Sequence, residues 1–173
     1  AKLAGGVAVI HVGAATEVEM NDRKERVKDA VGATKAAIEE GIVPGGEVTL
    51  LKASRALDTL KVDDEEKIGL DILRSACEQP FIWLLKNSGL DADKLLATVK
   101  SSKDDDFGVN VASGETGSMF KFGIIDPAKV TRSALQNAAS CATMILTTEC
   151  LVTEIPEEKK PVAPATPGMG EDY

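Results

Sequence analysis

The sequence predicts a mainly α-helical fold with small β elements. Apolar residues recur at helical spacing through most of the 173 residues. Helix start and stop signals bracket those stretches, while β-type runs are short and bounded by glycines. Aromatics are only 3% of a chain that is 43% hydrophobic, so the core has to be built from Leu, Ile, Val and Ala on helices.

Gly5–Gly13 is β-branched and glycine-bounded, and is read as a strand. Thr16 and Glu19 form a capping-box pair that starts a helix near Glu17. Val27, Val31, Thr34 and Ile38 are its expected buried stripe, and Gly41 its stop. A second helix is expected after Pro44-Gly45-Gly46, running to about Leu60 with Val48, Leu51 and Ala56 inward. Asp63–Lys67 opens a third, with Ile68, Ile72, Leu73 and Ala76 on one face. Pro80 is expected to break that helix or to restart it, the restarted segment Phe81–Asn87 ending at Gly89.

A short helix follows over about Ala92–Ser101, then a charged turn at Lys103–Asp106. FGVNVASGETGSMFKFG (Phe107–Gly123) reads as a hairpin with glycines at its turns. Asp126-Pro127 is a helix start, a carboxylate N-cap followed by proline in the first turn. Val130, Ala134, Ala138, Cys141 and Ile145 form the stripe behind it, and a last strand is expected at about Cys150–Thr153. Prolines at 156, 161, 164 and 167 with mixed charge mark an extended, mobile tail.

Net charge is −8 with a pI near 4.8, which argues against a nucleic-acid partner, because an acidic surface repels phosphates. No apolar run reaches the length of a membrane span, and no signal peptide is read at the N-terminus. Cys77, Cys141, Cys150 and the single His11 are too far apart in sequence for a zinc motif, so no metal ligands are assigned. An odd number of thiols points to a reducing compartment. Cys77 and Cys141 are expected to be buried and inert on apolar helix faces. Ala1 opens directly into the first strand-like run without Met, as expected of a fragment or a processed piece.

Four places carry candidate chemistry. Asp29 lies nearly opposite the Val27 stripe, among the small residues Gly32, Ala33 and Ala36; alone, it reads as a surface aspartate. Gly45 and Gly46 precede a helix, where bare backbone and a helix N-terminus favour an anion; alone, they read as an ordinary turn. Asn110 sits in the hairpin and is unremarkable by itself. Asp126 is first of all an N-cap, with its second oxygen left free. No Gly-x-x-x-x-Gly-Lys-Ser/Thr loop occurs.

KERVKDAVGATKAAIEEGIVPGGEV (Lys24–Val48) and IDPAKVTRSALQNAAS (Ile125–Ser140) together closely resemble the group I chaperonins, the chaperonin 60 family. The likeness runs from Ala1 to about Pro156 and corresponds to the C-terminal third of such a subunit. It implies the C-terminal half of an equatorial domain plus part of an intermediate domain. Residues 1–7 would end the apical domain, 8–39 belong to the intermediate domain, 40–155 to the equatorial domain, and 156–173 form the disordered tail.

By the same resemblance Asp29 is the hydrolytic carboxylate that swings onto the nucleotide. Gly45 and Gly46 line the nucleotide, Asn110, Val111 and Ala112 contact adenine, and Asp126 binds the ribose hydroxyls. ATP and Mg²⁺ are the implied cofactors, with the metal ligands and the phosphate loop in an N-terminal part not contained in this sequence. Implied partners are the other subunits of a sevenfold ring in a double-ring homo-oligomer, a small cochaperonin and unfolded client proteins. The location is bacterial cytoplasm or an organelle matrix.

Glu17, Glu40 and Arg132 match positions of interdomain or intersubunit ion pairs. The chain departs from the family's pattern at Glu47, where a third glycine is usual, and at Val111, where alanine is. Trp83 and Ala92 replace an inter-ring Arg and Glu. The implied activity is ATP-driven protein folding in an enclosing ring. The rival reading is a non-enzymatic helical oligomerisation module with a vestigial nucleotide site.

Overall fold

The computed structural model describes residues 6–155. The predicted tail and the first five residues lie outside them. The elements are α1 (Glu17–Glu40), β1 (Ile42–Pro44), α2 (Val48–Ala53), a 3₁₀ turn (Ser54–Thr59), α3 (Asp64–Asn87), α4 (Ala92–Ser101), β2 (Phe107–Asn110), β3 (Glu115–Ser118), α5 (Met119–Phe122), β4 (Ile125–Pro127) and α6 (Ala128–Leu146). The fold is mainly helical with a few small strands, as the sequence predicts. Two antiparallel pairs, β1–β4 and β2–β3, are its sheet structure among the described residues.

The core is a single cluster where α2, α3, α4, β2 and α5 meet. It contains Val48, Leu51, Phe81, Leu85, Ala92, Val99, Val109 and Met119, aliphatic but for Phe81. Gly108 crosses it at a point with no room for a side chain: a Cβ there would lie 2.5 Å from a Val48 methyl and 2.7 Å from the Met119 sulfur. Lys52 stitches α2 to the end of α4. Its buried ammonium donates to the carbonyls of Val99 at 2.8 Å and Ser102 at 2.9 Å, adding a charged donor at the helix end, where carbonyls run short of partners.

Several expectations are corrected. Residues 6–13 form no strand and are largely exposed, because no strand among the described residues pairs with them. Nor is there a strand at Cys150–Thr153. The second helix ends at Ala53 and continues as the 3₁₀ turn, leaving Ala56 exposed.

Pro80 does not break α3, which runs through it. Proline costs a helix interior about 3 kcal/mol. Cys77, Phe81 and Leu85 recur at four-residue spacing, all buried, and burying Phe81 and Leu85 offsets that cost at about 1.5–3 kcal/mol each.

Most of the apolar positions expected to be buried on three helices are exposed, although Val27 and Leu73 are half-buried. Val31 and Ile38 on α1, Ile68 and Ile72 on α3, and Val130 and Ile145 on α6 are exposed. Cys141 is exposed too, whereas Cys77 is buried. Burial, and then the charge of Glu78, push the Cys77 thiol up, which makes it unreactive. In α1 the half-buried positions near the C-terminal end are instead Ala33, Ala36 and Ala37, where the helix meets β4 and α6. Small side chains permit that close approach, and the larger Val31 and Ile38 on the other face stay exposed among the described residues.

Candidate functional site

The site is built around the start of β4. Val43 pairs with Asp126 and Pro44 with Ile125, so the chain leaving β1 turns directly above β4. The Gly45 amide donates to the Ile124 carbonyl at 3.0 Å, and Thr49 Oγ1 donates to the Pro44 carbonyl at 2.7 Å. A Cβ on Gly45 would lie 3.0 Å from the Ile125 nitrogen, and one on Gly46 would lie 2.8 Å from the Met119 terminal methyl. The glycine pair is therefore where the bend presses against β4 and α5, and Gly46 also faces the Val109 carbonyl of β2.

Glu47 completes the bend and is the N-cap of α2, with φ 63 in the left-handed region and no side-chain cap bond. It is the single non-glycine residue with positive φ among the described residues. A side chain there costs about 1–2 kcal/mol that glycine would not, which is why a glycine is the natural occupant. Burial first, and then the nearby charge of Asp126, hold the Glu47 carboxyl above the ordinary carboxylate range.

Asp126 is not the N-cap the sequence predicts. It is a half-buried strand residue, and Pro127 caps α6 without a side-chain bond. The pairing with Val43 decides this: the backbone of Asp126 is held extended, and the first helical residue moves to Ala128. Burial alone raises the Asp126 carboxyl, with no hydrogen bond or cation to lower it. Asp126 lines a hollow of about 150 Å³ together with Ala33, Thr34, Ala37, Ile42 and Ile125.

Asp29 is exposed on α1. It lies one turn before Ala33, about 6 Å along the axis and about 40° around it. Asp29 therefore shares the helix face that packs toward β4, one turn from the hollow that Asp126 lines. It forms no ion pair among the described residues.

Asn110 ends β2, one residue from the Val109 carbonyl that faces the glycine bend. Its side-chain oxygen accepts from the Ala112 amide at 3.1 Å, and its carbonyl accepts from Gly114 at 2.8 Å. That oxygen is committed to holding the turn, and the side-chain NH₂ remains available. Val111 packs partly against the core and Ala112 is exposed. The fold thus brings Gly45, Gly46, the Asn110 turn and Asp126 around one corner, with Asp29 a turn above it.

The pairing of β1 with β4 escapes sequence reading, although the β-branched Ile42-Val43 is its signal. Arg132 grips Glu40 with two nitrogens, at 2.7 and 3.0 Å, and Lys129 pairs with Glu39. These pairs tie the end of α1 to α6 within the chain. Glu17 forms no ion pair among the described residues.

A larger depression of about 480 Å³ lies between the 3₁₀ turn and α3. Its Arg74 is already engaged by Asp58 and Asp71, and none of the candidate residues reaches it. No cluster of three or more His, Cys, Asp or Glu among the described residues is placed to hold a metal ion. No described helix is long and apolar enough to cross a membrane.

Fold and candidate site together define a mainly helical protein whose glycine bend presses against the strand that carries an unpaired carboxylate. The sequence model of the TCP-1/cpn60 chaperonin family matches residues 2–156, and the chain belongs to that family. Its role is accordingly that of a chaperonin, in protein folding, in a family whose members are generally ring-forming ATPases.

Proposed function

We propose that this chain is the C-terminal third of a chaperonin 60 subunit and supplies one wall of its ATP site. The observation that carries the reading is the convergence of the glycine bend, the Asn110 turn and the unpaired Asp126 carboxylate, with Asp29 one helical turn away. The residues fit a nucleotide. Asp126 offers a fixed acceptor for paired ribose hydroxyls, since a carboxylate takes two such donors well. Gly45 and Gly46 leave backbone bare for close approach, and the Asn110–Ala112 turn offers backbone and amide groups to a base. The hollow is smaller than the roughly 300–1,000 Å³ of a complete small-molecule site, which suits one wall of a larger pocket.

On this reading bound MgATP supplies the phosphoanhydride that is hydrolysed. Asp29 orients and activates the attacking water, the task positioning carboxylates perform in phosphoryl transfer. Its place on the free-standing part of α1 lets it approach by hinge motion and act in the closed state. The intact protein would enclose unfolded polypeptides in a sevenfold ring of subunits, stacked as a double ring and served by a small cochaperonin. Residues 8–39 would be intermediate domain and 40–155 equatorial domain, in bacterial cytoplasm or an organelle.

The test is equilibrium binding of ATP to the full-length subunit carrying Asp126→Ala. Loss of a charge-assisted hydrogen bond pair predicts weakening of at least about tenfold. Unchanged affinity would remove Asp126 from the site and favour the helical-module alternative.

A further inference from the structure

α3 has two apolar faces, and the fold covers one of them. Cys77, Phe81 and Leu85 are buried in the core. Ile68, Ile72, Ala76, Gln79 and Trp83 follow one another at three- and four-residue steps, and all are exposed. At about 100° per residue this second stripe lies diametrically opposite the buried one. Ile68, Ile72 and Trp83 are each more than half open to solvent. The charges of α3 show a matching pattern. Asp64 is paired with Lys67, Asp71 with Arg74 and Glu78 with Lys100, while Glu66 accepts from the Asp63 amide. Glu65 and Lys86 are left, exposed at the two ends of the open stripe and without an ion pair among the described residues. Lys86 lies over the Trp83 ring, 5.4 Å from its centre.

We propose that two copies of this chain pair through the outer stripe of α3, antiparallel about a two-fold axis between Ser75 and Ala76. The stripe is complementary to itself when reversed. In that register Ile68 meets Trp83 and Ile72 meets Gln79, and the small Ser75 and Ala76 let the helices approach closely at the axis. The same register sets Glu65 of each copy against Lys86 of the other. The two charges that α3 leaves over are thus opposite in sign and fall at symmetric places, as a two-fold contact requires. An unrelated partner would impose no such symmetry, so the occupant is a second copy. The seam from Glu65 to Lys86 is about 30 Å long. Trp83 is its anchor at each end, since a tryptophan closed over an aliphatic side chain removes a large apolar area from water. This pairing does not depend on the nucleotide reading.

The experiment uses the 173-residue chain, whose single tryptophan lies in the seam. Sedimentation equilibrium and Trp83 emission are followed over a concentration series for wild type, Glu65→Lys, Lys86→Glu and the double reversal. Circular dichroism checks that all four are equally helical. Dimers are expected to form, with Trp83 emission moving to the blue in step. Each single reversal turns two attractions into repulsions and is expected to weaken the dimer about tenfold. The double reversal restores opposite signs and is expected to return to within about threefold of wild type. A monomer at every concentration overturns the pairing. So does association without a Trp83 shift, which would place it on another face, and so does a double reversal as weak as the singles. The full-length subunit is the second arm, with acrylamide quenching of Trp83 read as the difference from Trp83→Phe. Shielding that appears on assembly and is lost in Glu65→Lys supports the pairing. Shielding already complete in the single subunit means that the rest of the subunit covers α3, and overturns it.

Discussion

At the scale of single residues, Glu47 and Gly108 show how one position sets the cost of the fold. Glu47→Gly removes a side chain from φ 63 and separates Asp126 from a like charge. Glycine's larger unfolded-state entropy opposes that gain. A net rise in stability of about 1 kcal/mol is expected, read as a higher urea midpoint; a fall would mean that the Glu47 backbone carries no strain.

Gly108 has the opposite sign. Its Cβ would overlap Val48 and Met119, so Gly108→Ala is expected to destabilise by about 1–3 kcal/mol. The pH dependence follows from the same corner. Glu47 and Asp126 are both raised in the folded state, so their stabilising contribution is full below their ordinary values of 4.5 and 3.8. It is lost as pH rises through the raised values. Chemical denaturation across the acidic range should show this loss, and the double variant Glu47→Gln, Asp126→Asn should flatten it.

At the scale of elements, local signals were legible in the sequence where they act within one turn of chain. Thr16 does accept from the Glu19 amide, at 3.2 Å, Gly41 does close α1, and the hairpin pairs Phe107 with Ser118. Elements that depend on partners remote in sequence were not legible. β1 exists because β4 meets it, Val43 opposite Asp126, and that same pairing takes Asp126 out of the capping role. Pro80 sits within α3 because the buried stripe on either side of it outweighs a local rule.

Lys52 belongs to this scale as well, since nothing in the sequence marks it. Lys52→Met would keep the apolar stem and remove a buried donor from the Val99 and Ser102 carbonyls, which keep only the Ser102 amide and the Arg55 guanidinium. A loss of about 1.5–3 kcal/mol is expected in urea unfolding. A neutral result would show that water replaces the ammonium.

At the scale of the whole molecule, helical periodicity identified helices correctly but not always their buried faces. The stripes on α1, α3 and α6 are real, yet Ile38, Ile68, Ile72, Trp83, Ile145 and Leu146 remain exposed. Periodicity shows which residues share a face, whereas the neighbour that covers the face lies elsewhere. For a family that generally assembles in rings, apolar faces left open by one chain are ordinary. The 173-residue chain expressed alone is expected to self-associate with rising concentration in size-exclusion chromatography. A monodisperse monomer would show that these faces need no cover.

The candidate residues, and Glu47 as a departure among them, were named from family resemblance, while the pairing of β1 with β4 and the left-handed backbone at Glu47 required coordinates. In the proposed function Asp29 acts at a ligand held beside Asp126. Its most direct test is Asp29→Ala in the full-length subunit, with ATP binding and phosphate release measured on the same preparation. Binding kept within about twofold, with release slowed by at least about a hundredfold, is the predicted result. Release at the wild-type rate would contradict it.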